Sequence, residues 1–362
     1  MQIATMVKGY ITAPAPKDIV YAPIDLAIQI SNGLAKRGHT VDFYAPQGSH
    51  LSPAKVVTLG LKPLVKNYHE FHDALIDPAY HSDNVLATWD QRLAGEMFKR
   101  AARGEYDLLH FHHPEVALPF VSIYPDVPVA YTMHDPISPL QRRMLKMYET
   151  PSQHLVTISD KQRETAPDLN YIATIYNGID TKHFAPGPGK RSEDLLFLGS
   201  ILPHKGAKEA VEVARQTNSG LVIVGPTYPD HIDYFQKHIA PYLNEKIRYM
   251  DHIAHHKTLA YFQNAKAFLM PIQWEEPFGL TMVEAMACGT PVIAFKRGSA
   301  AEIVTHNKTG FVVGSVHEMA QAVGRVGSID PATCRATALK RFSTQTMIEG
   351  YEQVFSGILA KN

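Results

Sequence analysis

The segment EEPFGLTMVEAMACGTP, residues 275–291, combines the features of an anion site with those of a hydroxyl site. It follows the apolar strand AKAFLMP, and a helix is predicted to begin near Gly279, whose free backbone NH groups suit a phosphate. Glu276 comes just before this helix and Glu284 lies about one turn inside it. Because carboxylates accept hydrogen bonds from adjacent hydroxyls, the segment predicts a ligand that is both a phosphate and a polyol.

Other residues that could do chemistry also follow predicted strands. Lys205 comes in the loop after DLLFLG, while His112 and His134 come at the ends of strands in the first half. Open parallel sheets bind ligands at the carboxyl ends of their strands, so these positions favour a site. A zinc site is suggested by three histidines close in sequence, His110, His112 and His113. Neighbouring residues of a strand point to opposite faces, however, and no nearby carboxylate completes a ligand set. No metal site is therefore expected.

Short apolar strands alternate with amphipathic helices along the whole chain, which predicts parallel sheets covered by helices on both faces. The second half has the same alternation from DLLFLG to FVV, including helices near 230–244 and from about 315. The predicted fold class is therefore α/β, with two doubly wound, Rossmann-like domains. In the first half the predicted strands lie near residues 2–7, 40–45, 107–111, 127–131, 154–158 and 171–175.

The segment FAPGPGKRSED, residues 184–194, is typical of a connector, because two prolines and two glycines stand between the periodic halves. A chain of 362 residues is also longer than one ordinary hydrophobic core requires. We therefore place one domain at residues 1–185 and a second at 186–341. A terminal helix is predicted over about 342–362.

The composition excludes several classes of protein. There are 35 basic and 35 acidic residues, so the formal net charge is zero and nucleic acid is not an expected partner. The two cysteines, Cys288 and Cys334, have no CxxC spacing, which argues against a disulfide framework and fits a reducing compartment. Apolar runs are far shorter than the roughly 20 residues of a spanning helix. We expect a cytoplasmic protein without a transmembrane segment, and contact with a membrane surface is left open.

The string EPFGLTMVEAMACGTPVIA, from Glu276 to Ala294, resembles the signature of glycosyltransferase family 4, the large retaining group with the GT-B fold. The segments LFLGSILPHKG, LLHFHHPEVAL and YTMHDP are similar to others of that family, so the likeness extends over almost the full chain. It implies a GT-B architecture in which two Rossmann-like domains face one another across a cleft. The first would be the acceptor side, with the terminal helix packed back on it, and the second would bind the nucleotide-sugar donor.

The resemblance also implies roles for individual residues. Glu276 would contact the donor sugar and Glu284 the ribose hydroxyls. Lys205 would bind the phosphates, and His112 would face the reacting sugar, with His134 at the next strand end as part of the donor site. The catalytic assignments are thus His112, Lys205 and Glu276. The backbone that holds sugar hydroxyls and phosphate would come from Phe278, Gly279, Leu280 and Thr281.

The sequence departs from the family pattern in three loops. Ser200, in the donor site, stands where the family usually has Arg, so Lys205 is expected to carry an unusually large share of the diphosphate stabilisation. The tripeptide YAP at residues 21–23 replaces the usual Gly-Gly pair, and it cannot take the same backbone shape. GSAAEIV, from Gly298, replaces the common Gly-Gly-x-Pro-Glu.

The implied function is retaining transfer of a sugar from a nucleotide diphosphate sugar, UDP- or GDP-linked, to an acceptor hydroxyl. The acceptor would be a saccharide, a lipid-linked molecule or a small molecule. No cofactor and no metal is expected, since the chain lacks an Asp-x-Asp pair of the kind that holds manganese in the other major glycosyltransferase fold. Alternatives are a phosphorylase or nucleotide-sugar epimerase of the same architecture, or a non-catalytic sugar- or nucleotide-binding scaffold.

Overall fold

The computed structural model describes residues 1–78, 80, 83–251, 253 and 257–360. Their contacts divide the chain into two compact units. The first unit contains Met1–Ile158, Gln162–Gly178 and the segment from Thr344 onward, and the second contains Ser159–Lys161 and Ile179–Ser343.

The boundary between the units lies between Gly178 and Ile179, earlier in the chain than the one placed at 185/186 from the sequence. Residues beyond it are fastened to the second unit. The backbone NH of Ile179 donates to the carbonyl oxygen of Phe342, and the guanidinium of Arg191 donates to the carbonyl oxygen of Cys288 at 2.8 Å. The proline- and glycine-rich connector is therefore bound to the second unit by these hydrogen bonds.

The first unit is built on a parallel sheet that has seven strands among the described residues, in the order β3-β2-β1-β4-β5-β6-β7. Every residue of β4 and β5 is buried, because helices cover both faces of the sheet. The strands are β1 (Gln2–Met6), β2 (Thr40–Tyr44), β3 (Lys55–Val57), β4 (Leu108–Phe111), β5 (Val129–Met133), β6 (Gln153–Thr157) and β7 (Tyr171–Thr174).

Helices of the first unit bury apolar faces on this sheet. The helix that follows β1 repeats Leu26, Ile30 and Leu34 on its inner side, and it packs in one core cluster with Tyr351 and Phe355 of the terminal helix. The terminal helix is thus part of the first unit. The helices are α1 (Ala22–Lys36), α2 (Tyr68–Ile76), α3 (Val85–Ala101), α4 (Pro114–Val121), α5 (Pro139–Met147) and, at the end of the chain, α13 (Thr344–Leu359).

The second unit repeats this plan with six strands among its described residues, in the order β10-β9-β8-β11-β12-β13. The strands are β8 (Leu195–Leu198), β9 (Leu221–Val224), β10 (Ile247–Met250), β11 (Ala267–Met270), β12 (Val292–Phe295) and β13 (Gly310–Val313). The helices are α6 (Ala207–Thr217), α7 (Ile232–His238), α8 (Leu259–Asn264), α9 (Leu280–Ala287), α10 (Ala300–Ile303), α11 (Val316–Arg325) and α12 (Pro331–Phe342).

The predicted strands and the α/β class with two doubly wound units are confirmed. The helix predicted near 230–244 is shorter in the structure, since α7 ends at His238 and a separate short 3-10 turn, which contains Pro241, begins at Ala240. The edge strand β3 and the helix α12 were not predicted. Pro331 lies at the start of α12, where a proline is tolerated, and Asp330 caps that helix by accepting hydrogen bonds from Ala332 and Thr333.

Each sheet reverses its strand order at one point. In the first unit β1 and β4 are neighbours, and in the second β8 and β11 are neighbours, so the chain leaves in opposite directions from these paired strands. Ligands of open α/β sheets bind at such a switch point, beyond the carboxyl ends of the strands. His112 directly follows β4, Lys205 lies in the loop after β8, and Glu276 lies in the loop after β11.

Candidate active site

Lys205 and Glu276 meet at the switch point of the second unit. Lys205 ends a short 3-10 turn after β8, and its Nζ lies 2.8 Å from Oε2 of Glu276. The same ammonium lies 5.0 Å from the centroid of the Trp274 ring, and the Trp274 indole donates to Oε2 of Glu276 at 3.1 Å. Both charged side chains are partly exposed, so a ligand can reach them. A partly exposed cation and a partly exposed carboxylate therefore lie together at this sheet edge.

The loop after β12 holds the backbone of Glu276 in place. The NH of Ser299 donates to the carbonyl oxygen of Glu276 at 3.0 Å, and the Ser299 hydroxyl donates to the carbonyl oxygen of Phe278 at 2.6 Å. Gly298 has a φ of 51°, and a Cβ there would lie 2.1 Å from the Glu276 carbonyl oxygen. Only glycine fits this approach, so Gly298 and Ser299 position Glu276.

The helix α9 begins directly after Gly279, which has a φ of 81° and makes no side-chain capping hydrogen bond. The first turn of this helix, with Leu280 and Thr281, therefore presents backbone NH groups that suit an anion. Phe278 is different, because its ring is buried and packs 5.9 Å from the ring of Phe342. The Phe278 side chain belongs to the core, and only its backbone is left for a ligand role.

Glu284 lies within α9 and is only 3% exposed, unlike the surface acids of an ordinary helix start. The pKa of the nearby Cys288 thiol is raised to about 12, chiefly by burial and further by the charge of Glu284. Because Glu284 is buried within α9, only a ligand group that comes close to this helix could reach its carboxylate.

Ser200 brings no charge to the second unit's site. Its hydroxyl lies 3.2 Å from the hydroxyl of Tyr228, in the loop after β9. Another cation of the same unit, Arg297, lies 3.7 Å from Glu275, and both side chains are exposed. Lys205 is therefore the cation that the structure places against Glu276.

The first unit carries a cluster of histidines at the carboxyl ends of β4 and β5, in which His110 and His112 are buried and His134 is half-buried. His112 and His134 are joined by a 2.8 Å hydrogen bond between Nδ1 of His112 and Nε2 of His134. His110 lies within β4, and its Nε2 is 2.8 Å from the Thr132 hydroxyl, so its role is structural. Burial lowers the pKa of His110 and of His134 to about 3, and burial followed by the neighbouring histidines lowers that of His112 well below its usual value.

One ring nitrogen of this histidine cluster lacks a hydrogen-bond partner among the described residues. His112 is 1% exposed, and its Nε2 has no hydrogen-bond partner among the described residues. If His134 donates to His112, this Nε2 carries a proton, and if His112 donates, it carries a lone pair. In both tautomers one hydrogen-bonding function of a neutral imidazole is free for a ligand hydroxyl. Such a buried orphan is costly without a ligand or water, which favours a functional role for His112.

Several residues to which the sequence assigned no role lie around the candidate sites of the two units. Trp274, Gly298 and Ser299 surround Glu276, as described above. In the first unit the Tyr21 hydroxyl lies 2.6 Å from Nε2 of His113, and the two rings are stacked. Within the described part of the chain no group of three or more His, Cys, Asp or Glu residues is arranged to hold a metal ion.

Two family models match the chain in succession. The model described as Glycosyltransferase Family 4 covers residues 26–183, and the model described as Glycosyl transferases group 1 covers residues 178–329. Glycogen synthase of Mycobacterium tuberculosis is 30% identical over 380 aligned positions, which cover 90% of this chain and 88% of that protein. This chain belongs to glycosyltransferase family 4. The enzyme is therefore a glycosyltransferase, and the expectation from the Glu276–Ala294 string is confirmed.

Other proteins resemble the glycosyltransferase more distantly. D-inositol 3-phosphate glycosyltransferase of Acidothermus cellulolyticus is 24% identical and covers 92% of this chain and 85% of that protein. Sucrose-phosphate synthase from Thermosynechococcus elongatus superposes with a TM-score of 0.78 at 18% identity over the full length of both chains. Anabaena HepE in complex with UDP gives a TM-score of 0.74 at 18% identity and covers 99% of this chain. The fold of this glycosyltransferase is thus the GT-B type. None of its described helices is long and apolar enough to cross a membrane.

Proposed function

We propose that this glycosyltransferase transfers a sugar, with retention of anomeric configuration, from a nucleotide diphosphate sugar to an acceptor hydroxyl, without a divalent metal. The observation that carries the proposal is the meeting of Lys205 with Glu276 beside the start of α9, at the switch point of the second sheet. A cation, a carboxylate and free backbone NH groups match the phosphates and hydroxyls of such a donor.

The diphosphate gains negative charge as it leaves the sugar. Lys205 and the backbone NH groups at the start of α9 would stabilise that charge, and groups held in place before the reaction are the strongest source of such stabilisation. Neither group needs a metal ion as an intermediary.

The two glutamates would take the hydroxyl groups of the donor. Glu284, which is buried in α9, would accept hydrogen bonds from the ribose, and Glu276 would accept them from the sugar. The unpartnered Nε2 of His112 would orient a sugar hydroxyl, as a hydrogen-bonding group and not as a proton acceptor.

Retention and the choice of nucleotide rest on relatives. The family resemblance implies retention. HepE was solved with UDP, and one relative from Mycobacterium tuberculosis is named a GDP-mannose-dependent mannosyltransferase. These names support a UDP- or GDP-linked donor.

Product analysis tests the proposal. The protein is incubated with UDP- and GDP-linked sugars, with and without saccharide acceptors and with excess EDTA, and proton NMR follows the anomeric signals. We expect a new glycosidic product that forms only with acceptor, has the donor's anomeric configuration and survives EDTA. An altered sugar nucleotide without acceptor would indicate an epimerase, dependence on inorganic phosphate a phosphorylase, and nucleotide binding without turnover a scaffold. Loss of transfer in EDTA, restored by manganese or magnesium, would contradict metal independence.

A further inference from the structure

A cavity of about 310 Å³ in the first unit is separate from the histidine pair and has no role in the assignments above. It is lined by residues of the loop after β1, of α3 and of α4, including Lys8, Tyr10, Asp90, Gln91 and Glu115. β1 and β4 are the strands between which the first sheet reverses its order, so the cavity lies where open α/β sheets bind ligands. Its volume is at the lower end for ligand pockets, which suits a single ring.

At this cavity the ammonium of Lys8 lies between the carboxylates of Glu115 and Asp90. Nζ of Lys8 lies 3.0 Å from Oε1 of Glu115 and 3.7 Å from Oδ2 of Asp90. The other oxygen of Asp90 accepts a hydrogen bond from the NH of Gly9. The side chains of Lys8 and Asp90 are 12% and 4% exposed, whereas that of Glu115 is 44% exposed. One ammonium between two carboxylates leaves an excess of negative charge.

This arrangement persists near neutral pH. Burial would lower the pKa of Lys8, but Asp90, Glu115 and Tyr10 outweigh it, and the pKa is raised. Burial raises the pKa of Asp90 to about 6, and the charge of Lys8 and the hydrogen bond from the NH of Gly9 oppose this only in part. Burial also raises the pKa of Tyr10 to about 12, so its hydroxyl is a neutral donor. Lys8 is thus held charged and committed to its two partners.

We propose that this cavity binds the acceptor through an uncharged, hydroxyl-bearing ring, a sugar or a cyclitol, and rejects rings that carry a phosphate. The proposal rests on the proposed function, because it names the acceptor class of that transfer. Glu115, the most accessible of the three charged groups, accepts a hydrogen bond from a ring hydroxyl, while Lys8 and Asp90 hold it in position. Among the described lining residues Lys8 is the one basic group, and its charge is already matched. A phosphate would meet the excess carboxylate charge in a partly buried site.

Binding of simple rings to the wild-type protein tests this proposal without any donor. The probes are D-glucose, D-mannose and myo-inositol, each compared with its phosphate ester in the presence of saturating UDP or GDP, which occupies the phosphate site proposed in the second unit. Dissociation constants come from titrations followed by saturation-transfer NMR. We expect at least one neutral ring to bind about tenfold or more tightly than its ester, which corresponds to about 1.4 kcal/mol. Equal or tighter binding of the esters, or no binding of any neutral ring, would overturn the proposal.

Reversing one charge gives the decisive comparison. Glu115→Lys supplies a free ammonium and should reduce the preference for the neutral ring by about tenfold or more. Glu105→Lys is the matched control, since Glu105 is 41% exposed, pairs with Arg100 at 2.7 Å and precedes β4 at the opposite edge of the sheet. It should leave the preference unchanged. Equal shifts in both variants would overturn the proposal.

A folding control and a conservative variant accompany the charge reversal at Glu115. Thermal melting establishes whether the variants are folded. If Glu115→Lys does not fold, Glu115→Gln takes its place, because it removes one negative charge at nearly constant shape and should lower the same preference for the neutral ring. A lack of change in Glu115→Gln would then count against the cavity. Because the assay needs neither donor nor turnover, ring binding without transfer would contradict the proposed function alone.

Discussion

Nζ of Lys205 lies 2.8 Å from Oε2 of Glu276, so the cation assigned to the donor phosphates is paired with the carboxylate assigned to the donor sugar. A diphosphate that binds Lys205 must therefore compete with Glu276 for the same ammonium. The exchange would release the carboxylate from Lys205 and leave it free to accept hydrogen bonds from sugar hydroxyls. Trp274, which contacts both groups, remains as the partner that holds Glu276 during the exchange.

Glu276→Gln should separate nucleotide binding from transfer. Removal of the competing carboxylate leaves Lys205 free, so we expect nucleoside diphosphates to bind as tightly as in the wild type or up to about tenfold more tightly. Transfer should fall by roughly a hundredfold, because the sugar loses a charged hydrogen-bond acceptor. Calorimetry and initial rates measure the two effects, and Glu245→Gln, at an exposed position of the same unit, is the control. Parallel losses of binding and transfer would show that Glu276 is not assigned to the sugar.

Glu284→Gln should instead weaken nucleotide binding itself. The substitution keeps the shape of a side chain that is buried in α9 but removes the charged acceptor proposed for the ribose. A charge-assisted hydrogen bond contributes about 1.5–3 kcal/mol, so affinity should fall by roughly 10- to 150-fold, for nucleosides as well as for nucleoside diphosphates. Calorimetry with both ligands provides the readout. An unchanged nucleoside affinity in a variant with the wild-type melting temperature would refute the ribose assignment.

Local motifs were enough to predict the strands around the site and the residues at their ends. The string from Glu276 to Ala294 indicated the turn and the helix of the proposed donor site and the strand that follows, because these elements are formed by neighbours in sequence. The ion pair between Lys205 and Glu276 joins residues of two loops that meet only because the strand order reverses at β8 and β11. The cavity lined by Lys8, Asp90 and Glu115 could not be predicted for the same reason, since these residues come from a loop and two helices far apart in the chain.

Some of the fold was also beyond local patterns. The edge strand β3 has three residues, too few for a pattern of alternation to emerge. The Gly298–Ser299 loop departs from the family motif, and its role in holding Glu276 follows from a contact across the sheet edge and not from its sequence. Long-range contacts therefore decide the parts that could not be predicted.

Ser200→Arg should be tolerated and should tighten nucleoside diphosphate binding by up to about tenfold, since it adds a cation near Lys205. The substitution removes the contact of Ser200 with the hydroxyl of Tyr228. Tyr228→Phe removes that same contact without adding charge and serves as the matched control in calorimetric titrations. Weaker binding in Ser200→Arg, with normal binding in Tyr228→Phe, would mean that the phosphates lie elsewhere.

The buried histidines should make the first unit sensitive to acid. Burial lowers the pKa of His110 and His134 to about 3, whereas an unfolded histidine titrates near 6.5. The unfolded chain therefore binds more protons as the pH falls below about 6.5, and stability is lost on acidification. Between pH 7 and pH 5 each such histidine should cost about 2 kcal/mol of unfolding free energy.

Urea unfolding at the two pH values measures this effect. In a Trp274→Phe background, Trp89 is the remaining tryptophan and reports on the first unit. His110→Gln should reduce the pH-dependent loss by about 2 kcal/mol, and His317→Gln, at an exposed position of the second unit, should not change it. If wild type and His110→Gln lose the same free energy, His110 does not carry the pH dependence.

Lys205 is proposed to bind the diphosphate of the donor, and a double cycle between protein and ligand tests this assignment. Calorimetry compares wild type and Lys205→Ala with UDP or GDP and with the matching nucleoside, and Lys266→Ala, which breaks a 2.8 Å pair with Glu193, is the control. We expect Lys205→Ala to lose roughly 10- to 150-fold in affinity for the diphosphate and less than about twofold for the nucleoside. Equal losses for both ligands, or a diphosphate affinity like that of the wild type, would show that Lys205 does not bind the diphosphate.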